Sequence, residues 1–230
     1  MKTSTVQSKA QRFLEGSAIA GVLVLSALIA VEILLAIHHP AALLVALCAL
    51  PAGYVLSDFT SGLIHFLADN FGDPETPYFG KNFIRPFREH HVDPKGITRH
   101  DFIEVNGAAC ILSFPVLLAT WKWLLPETGD ASAFFFPALI LSHALSTLAT
   151  NQIHKWAHQE RPPRFVKKLQ SWGAILSPKH HEVHHTAPFD RHYCITAGWL
   201  NGPLARIKFF ESIEWLLGKK KKEPAGAVPA

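Results

Sequence analysis

Four long stretches of this chain are predominantly apolar. They run over about residues 17–37, 41–69, 102–125 and 131–158. Each exceeds the roughly 20 apolar residues that cross a bilayer core of about 30 Å. The pattern therefore predicts four transmembrane helices, and with them an all-α fold. The first stretch follows Lys2, Lys9 and Arg12 and carries no small-residue cleavage site. It reads as a signal anchor preceded by a leader over residues 1–16. Beyond the fourth stretch the pattern changes to short amphipathic segments. Arg164–Leu176 and Leu204–Leu217 are predicted as helices lying at the membrane interface. Residues 219–230, with Lys219–Lys222, read as a flexible basic tail. No repeat or Gly/Ser linker divides the chain, so residues 17–218 are expected to form one domain.

Composition agrees with this reading. The 230 residues are 49% hydrophobic, and 22 basic against 18 acidic residues leave a formal charge of +4. That charge suits an anionic membrane surface and gives no reason to expect nucleic acid. Cys48, Cys110 and Cys194 are far apart and odd in number. They are expected as free thiols, with neither a disulfide framework nor a cysteine-based zinc site.

The placement of lysine and arginine predicts the topology. The connection His38-His39-Pro40 has none, and that from Lys122 to Asp130 has one. Lys81, Arg85, Arg88, Lys95 and Arg99 lie between the second and third stretches, and the segment after His158 is strongly basic. Both termini and the central connection are thus expected in the cytoplasm.

That topology collects histidines. Ten of the 14, namely His65, His90, His91, His100, His154, His158, His180, His181, His184 and His185, fall on the cytoplasmic side as a cap. His154 and His158 are four residues apart, as are His65 and Asp69, His180 and His184, and His181 and His185. This spacing sets two side chains on one helical face about 5–6 Å apart. Neutral imidazoles that converge are suited to zinc, copper, iron or nickel. Nine or ten ligands suffice for two ions with open positions. Their place at the mouths of long transmembrane helices points to iron and dioxygen, although spacing alone leaves a di-zinc hydrolase open. His38 and His39 lie at the opposite end and are expected at the interface, while His143 is expected as a packed or tunnel-lining residue. Asp58, seven residues before His65 on the same helical face, is expected to anchor a polar network, since carboxylates within a membrane are costly and usually functional.

The runs SDFTSGLIHFLAD, GKNFIRPFREHHVDPKGITRHDFIEVNG, TNQIHKWAH and LSPKHHEVHHTAPFDRHYCITAGWLN cover most of residues 57–203. In residue identity and order they resemble the plasmanylethanolamine desaturase family, the Kua/CarF-like lipid desaturases. The resemblance implies an oxidoreductase that forms the vinyl-ether double bond in the 1-O-alkyl chain of ether phospholipids, the step that makes plasmalogens. It implies two iron ions, dioxygen as co-substrate and electrons from an external donor. No haem, flavin or ferredoxin motif is visible, so that donor is expected to be a separate chain, cytochrome b5-like or ferredoxin-like. The implied metal ligands are His65, His90, His91, His154, His158, His180, His181, His184 and His185. Asp69, His100 and Asp58 are expected as further ligands or as residues that orient them, and His192 has no expected role. Arg85, Arg88 and Lys179 are candidates for contact with a lipid head group. The expected membrane is a bacterial inner membrane or the endoplasmic reticulum. Two other readings stand beside this one: a desaturase or hydroxylase of an acyl chain on another phospholipid, and a non-enzymatic membrane metal-binding protein. A carrier would spread its ligands through the depth of the bilayer, whereas these gather at one end.

Overall fold

A computed structural model describes residues 7–77, 79–126 and 130–218. The basic tail lies outside the described residues, as do the first six residues of the leader. Every regular element described is helical. The long helices are α1 (Lys9–Ala36), α2 (Pro40–Asn70), α4 (Phe102–Trp123) and α5 (Phe135–His158), the last entered through a 3₁₀ turn at Ala131–Phe134. Between α2 and α4 lie a π turn (Gly80–Ile84), α3 (Arg85–Val92) and a 3₁₀ turn (Gly96–Arg99). After α5 come α6 (Arg164–Ser171), α7 (Pro178–Glu182), α8 (Asn201–Arg206) and α9 (Phe209–Leu216).

Four of these helices, Lys9–Ala36, Pro40–Asn70, Phe102–Trp123 and Ala131–His158, are long and apolar enough to cross a membrane. Their ends have local causes. Ser8 caps α1 by accepting from the Gln11 amide at 3.1 Å. Asp101 and Glu104 form a reciprocal capping box that starts α4. His39 Nδ1 accepts from the Ala42 amide at the start of α2.

The chain divides into two compact units. One comprises residues up to Ser57 with Arg99–Gln152, and the other comprises Asp58–Thr98 with residues from Ile153 onward. The first unit is a bundle whose core is thin: Val22, Ile29, Ala42, Ala46, Ala49, Leu117, Phe134 and Ala138 are buried. Small residues set the approach of α2 to α5. A side chain at Gly53 would sit 2.4 Å from the Leu139 carbonyl oxygen, so only glycine lets the backbones meet there. Outward, Leu23, Val24, Leu28, Val31, Leu34, Leu43, Leu44 and Leu47 are exposed. In water such a surface would drive aggregation; against lipid tails it costs nothing.

The second unit holds a core of Phe66, Tyr193, Cys194, Leu204 and Phe210. Its amphipathic segments are shorter than the sequence pattern suggested. The helix expected over Arg164–Leu176 stops at Ser171, and Gly173 follows in a left-handed conformation (φ 67°), a common way for a helix to end. The helix expected over Leu204–Leu217 is broken in two by Lys208, whose φ is 53°.

Candidate metal centre

The second unit assembles nine potential ligands from four separate stretches of chain. The last turns of α2 present His65 and Asp69, and those of α5 present His154 and His158. Helix α3 presents His90 and His91, and α7 with its following turn presents His181, His184 and His185.

Local chemistry sets each presentation. The carbonyls of the last turn of α2 have no partner within the helix. Arg88 supplies one, its guanidinium donating to the oxygens of Ala68, Phe71 and Gly72 at 3.1, 2.8 and 2.9 Å. That clamp fixes α3 against the end of α2 and brings His91 beside Asp69. At α7, Ser177 caps the start by accepting from the His180 amide, and Pro178 opens the helix. The turn then continues through hydrogen bonds donated by the backbone amides of His184 and His185 to the His181 carbonyl.

The ligands fall into two groups. His90, His154, His158, His181 and His185 form one, and His65, Asp69, His91 and His184 form the other, with the ligand atoms of each group all within 4.8 Å of one another.

In the five-histidine group the Nε2 atoms close a ring. Successive separations are 2.8 Å from His154 to His181, 3.0 Å from His181 to His185, and 3.1 Å from His185 to His90. The ring closes at 2.9 Å from His90 to His158 and 3.3 Å from His158 back to His154. A neutral imidazole nitrogen is either a donor or an acceptor. Around a ring of five the two roles cannot alternate, so at least one contact sets like against like. Hydrogen bonding therefore gives no satisfied arrangement of these five nitrogens. A cation does, because it accepts a lone pair from each. Metal–nitrogen bonds of about 2.0–2.1 Å would hold neighbouring nitrogens roughly 3 Å apart, and the ring's edges run from 2.8 to 3.3 Å.

The second group is built around a carboxylate. Asp69 Oδ2 lies 2.9 Å from His91 Nε2, 3.5 Å from His65 Nε2 and 3.6 Å from His184 Nε2. His65 Nδ1–H donates to the Tyr193 carbonyl at 3.1 Å, and His184 Nδ1–H donates to the Arg191 carbonyl at 2.9 Å. These bonds fix the tautomer and leave each Nε2 lone pair facing inward. His65 Nε2 and His184 Nε2 are buried without a hydrogen-bond partner. A ring nitrogen held by a carbonyl while the other is orphaned is the signature of a metal-binding histidine. The donor sets of both groups thus fit metal ions. The groups are also neighbours, with the rings of His184 and His185 5.5 Å apart and those of His65 and His154 6.1 Å apart.

Burial keeps these imidazoles in the form that binds metal. Desolvation, with added repulsion from neighbouring imidazoles, pushes His90 down to about 2 and His185 to about 3. His184 also falls to about 3, again chiefly by burial, and His181 lies well below its ordinary 6.5 for the same reason. Cys194 is not a competing ligand. Burial raises its thiol well above the usual range, so it stays protonated, and it belongs to neither group.

Not every expected residue arrives here. Successive residues of a helix point about 100° apart, so His181 faces the five-histidine group and His180 does not. His180 Nε2 instead accepts from Asn201 Nδ2 at 3.1 Å, and its ring lies 5.1 Å from that of His192. His100 belongs to the first unit, where its Nδ1 lies 3.3 Å from Glu104 Oε2. Among the three head-group candidates, Arg88 is the clamp on α2, Arg85 pairs with Glu75, and Lys179 is exposed on α7. Asp58 is fully buried and accepts from the backbone amides of Ala197, Gly198 and Leu200. The reading from sequence passed over Tyr193 and Arg191, which act through main-chain oxygens and leave no side-chain signal.

Four helices able to cross a membrane and two adjacent ligand groups make this a multi-pass membrane protein with a centre built to hold metal. The chain belongs to the lipid desaturase family: the model of the lipid desaturase domain matches residues 54–225, which include both ligand groups. It is 47% identical over 174 residues to the plasmanylethanolamine desaturase of Myxococcus xanthus, covering 74% of this chain and 60% of that protein. It is 45% identical over 170 residues to plasmanylethanolamine desaturase 1 of Mus musculus, covering 72% and 62%. Fatty acid desaturase 4 of Arabidopsis thaliana chloroplasts is 35% identical over 166 residues, covering 71% and 49%. The chain thus spans about 60% of the length of the first two relatives. No solved structure matches it.

Proposed function

We propose that this protein is an oxygen-dependent membrane lipid desaturase that converts the 1-O-alkyl chain of a plasmanyl phospholipid to a 1-O-alk-1-enyl chain. The observation that carries this reading is the pair of adjacent, buried ligand groups in a chain 45–47% identical to plasmanylethanolamine desaturases. His90, His154, His158, His181 and His185 would hold one iron ion, and His65, Asp69, His91 and His184 the other. Bound iron would supply the oxidising chemistry of dioxygen. Per double bond, two hydrogens leave the alkyl chain, and dioxygen with two electrons and two protons becomes two waters. The electrons come from a separate donor protein, cytochrome b5-like or ferredoxin-like.

The chain's own residues determine where this happens. At about 1.5 Å per residue, His65 lies roughly 38 Å along α2 from Pro40, and His154 lies roughly 34 Å from Ala131, against a hydrocarbon core of about 30 Å. The ligands would thus stand at head-group depth, near the first carbons of the chains. Hydrogen removal beside the ether oxygen follows without drawing mid-chain carbons upward. Burial of His65, His90, His154, His181 and His184 limits the access of water to the groups. Of the three head-group candidates, Lys179, exposed on α7, is the one assigned to a head-group phosphate. The excess of lysine and arginine around α3 and after α5 supports a cytoplasmic site and cytoplasmic termini.

Lipid mass spectrometry of a host rich in alkyl ether lipids, expressing this chain with a competent reductase, tests the reading. Acid-labile vinyl ethers are expected to appear and to require both groups. A new double bond in an ester-linked acyl chain would instead favour the second reading, for which the 35% identity to fatty acid desaturase 4 is the supporting observation.

A further inference from the structure

A strap of irregular chain, residues 191–200, runs up to the start of α8 and lies along one face of α2. That face is made by Asp58, Ser61, Gly62 and His65, at spacings of three, four and seven residues, which a helix brings into one line. Each of the four does something different to the strap.

Asp58 Oδ1 accepts from the amides of Ala197 and Gly198, both at 2.8 Å, and Oδ2 accepts from that of Leu200 at 3.1 Å. Ser61 Oγ accepts from the Ile195 amide at 3.1 Å and donates to the Asp58 carbonyl at 2.8 Å. Gly62 leaves room for the Cys194 thiol: a Cβ there would lie 2.5 Å from its sulfur and 3.1 Å from its amide nitrogen. His65, last in the line, donates to the Tyr193 carbonyl. From the strap's other side, Asn201 accepts from the Cys194 amide and donates to its carbonyl.

The strap touches the ligands unequally. Its Tyr193 and Arg191 carbonyls hold His65 and His184, two of the three imidazoles in the carboxylate-bearing group. In the five-histidine group, the Nδ1 atoms of His181 and His185 are buried without a hydrogen-bond partner. The strap thus bonds directly to ligands of one group and to neither of these members of the other, although its Thr196 carbonyl also accepts from the Leu176 amide at 3.0 Å, just ahead of α7.

The choice of aspartate is itself informative. Three amides converge on one fully buried side chain. A carboxylate accepts all three and offers no hydrogen in return; an asparagine would set an NH₂ against at least one of them. A buried carboxylate is costly to desolvate, and helix packing alone does not require one at this position.

From these contacts we infer that Asp58 is a positioning residue for one metal only. Through the strap it sets the tautomer and aim of His65 and His184, and so the affinity of the carboxylate-bearing group, independently of the five-histidine group. This rests on the two-group reading above.

The test is zinc titration of the purified full-length protein in nanodiscs after chelator treatment, with bound metal measured by equilibrium dialysis and mass spectrometry. Wild type is expected to show two classes of site. His184→Ala identifies the carboxylate-bearing class by removing it, and His181→Ala identifies the other. Asp58→Asn is expected to weaken the first class about 10–100-fold, the usual effect of losing a partner that orients a ligand, and to change the second by less than about threefold. Ser61→Ala, which removes one strap contact and leaves the carboxylate, is expected to weaken the same class by a smaller factor, and it serves as the readout if Asp58→Asn yields no folded protein. Equal weakening of both classes would make Asp58 a merely structural residue and overturn the inference, as would no weakening of either. A wild type that binds no zinc in either group would overturn the metal reading itself, a separate result.

Discussion

Arg88 offers a direct contest between two roles, because a cation in this region could serve a lipid phosphate or the fold. Its guanidinium spends three contacts on carbonyls at the end of α2. A hydrogen bond from a charged donor contributes about 1.5–3 kcal/mol net. Three would nominally give about 4–9 kcal/mol, but Arg88 is only partly buried and water replaces part of each contact. A cost of about 2–4 kcal/mol for Arg88→Ala is the reasonable figure. At about 2–4 °C per kcal/mol for a chain of this size, the midpoint of thermal unfolding should fall by roughly 5–15 °C. Because Arg88 also fixes α3, the histidines of that helix should lose order, and metal affinity should fall with stability. Unfolding in nanodiscs, followed by helical signal and bound metal together, reads both. Arg88→Lys should recover only part, since a single ammonium cannot span three carbonyls as a fork does. An Arg88→Ala protein that keeps its unfolding midpoint and its metal, yet needs more phospholipid for half-maximal rate, would refute this reasoning and restore the head-group role.

Further expectations concern ligands, acid and orientation. His181→Ala should remove one class of bound metal while its neighbour His180→Ala keeps both, and loss of metal in the latter would show that His180 reaches the centre in solution. The metal-free protein should lose stability as pH falls from about 6.5 toward about 3. In that window the unfolded chain takes up protons that His184 and His185, held near 3, refuse; stability is fully present above 6.5, and a flat profile in thermal unfolding between pH 7.5 and 4.5 would contradict the burial described. A cysteine placed at Ala187, in a background lacking the exposed Cys48, should react with an impermeant reagent only from the cytoplasmic side of sealed vesicles, and labelling from outside would reverse the topology.

The sequence revealed the four long helices because their apolar character needs no tertiary context. It revealed the i,i+4 pairs His154/His158, His65/Asp69 and His181/His185 because helical geometry alone puts those side chains together. It did not separate His180 from His181, since both lie in one short run and only the position of Ser177 and Pro178 decides which points inward. Nor did it show that the ligands divide into two groups, because that division depends on which turn of α3 meets which turn of α2. The fate of Arg88 was hidden for a related reason: a cation near a membrane has many uses, and orphan carbonyls at a helix end become visible only when the end is located. The strap's main-chain oxygens carry no letter in the sequence at all.

Both ligand groups draw from stretches made early and late. His65, Asp69 and His91 wait for His184, and His90 waits for His154, His158, His181 and His185. Neither group can be complete while the ribosome has yet to deliver the segment around residue 185. Two hydrophobic helices, α4 and α5, must therefore enter the bilayer before the early histidines meet their partners. A full ligand group for metal is thus available only once the segment around residue 185 has followed α5, and a product truncated after α5 would carry all four long helices and no complete ligand group.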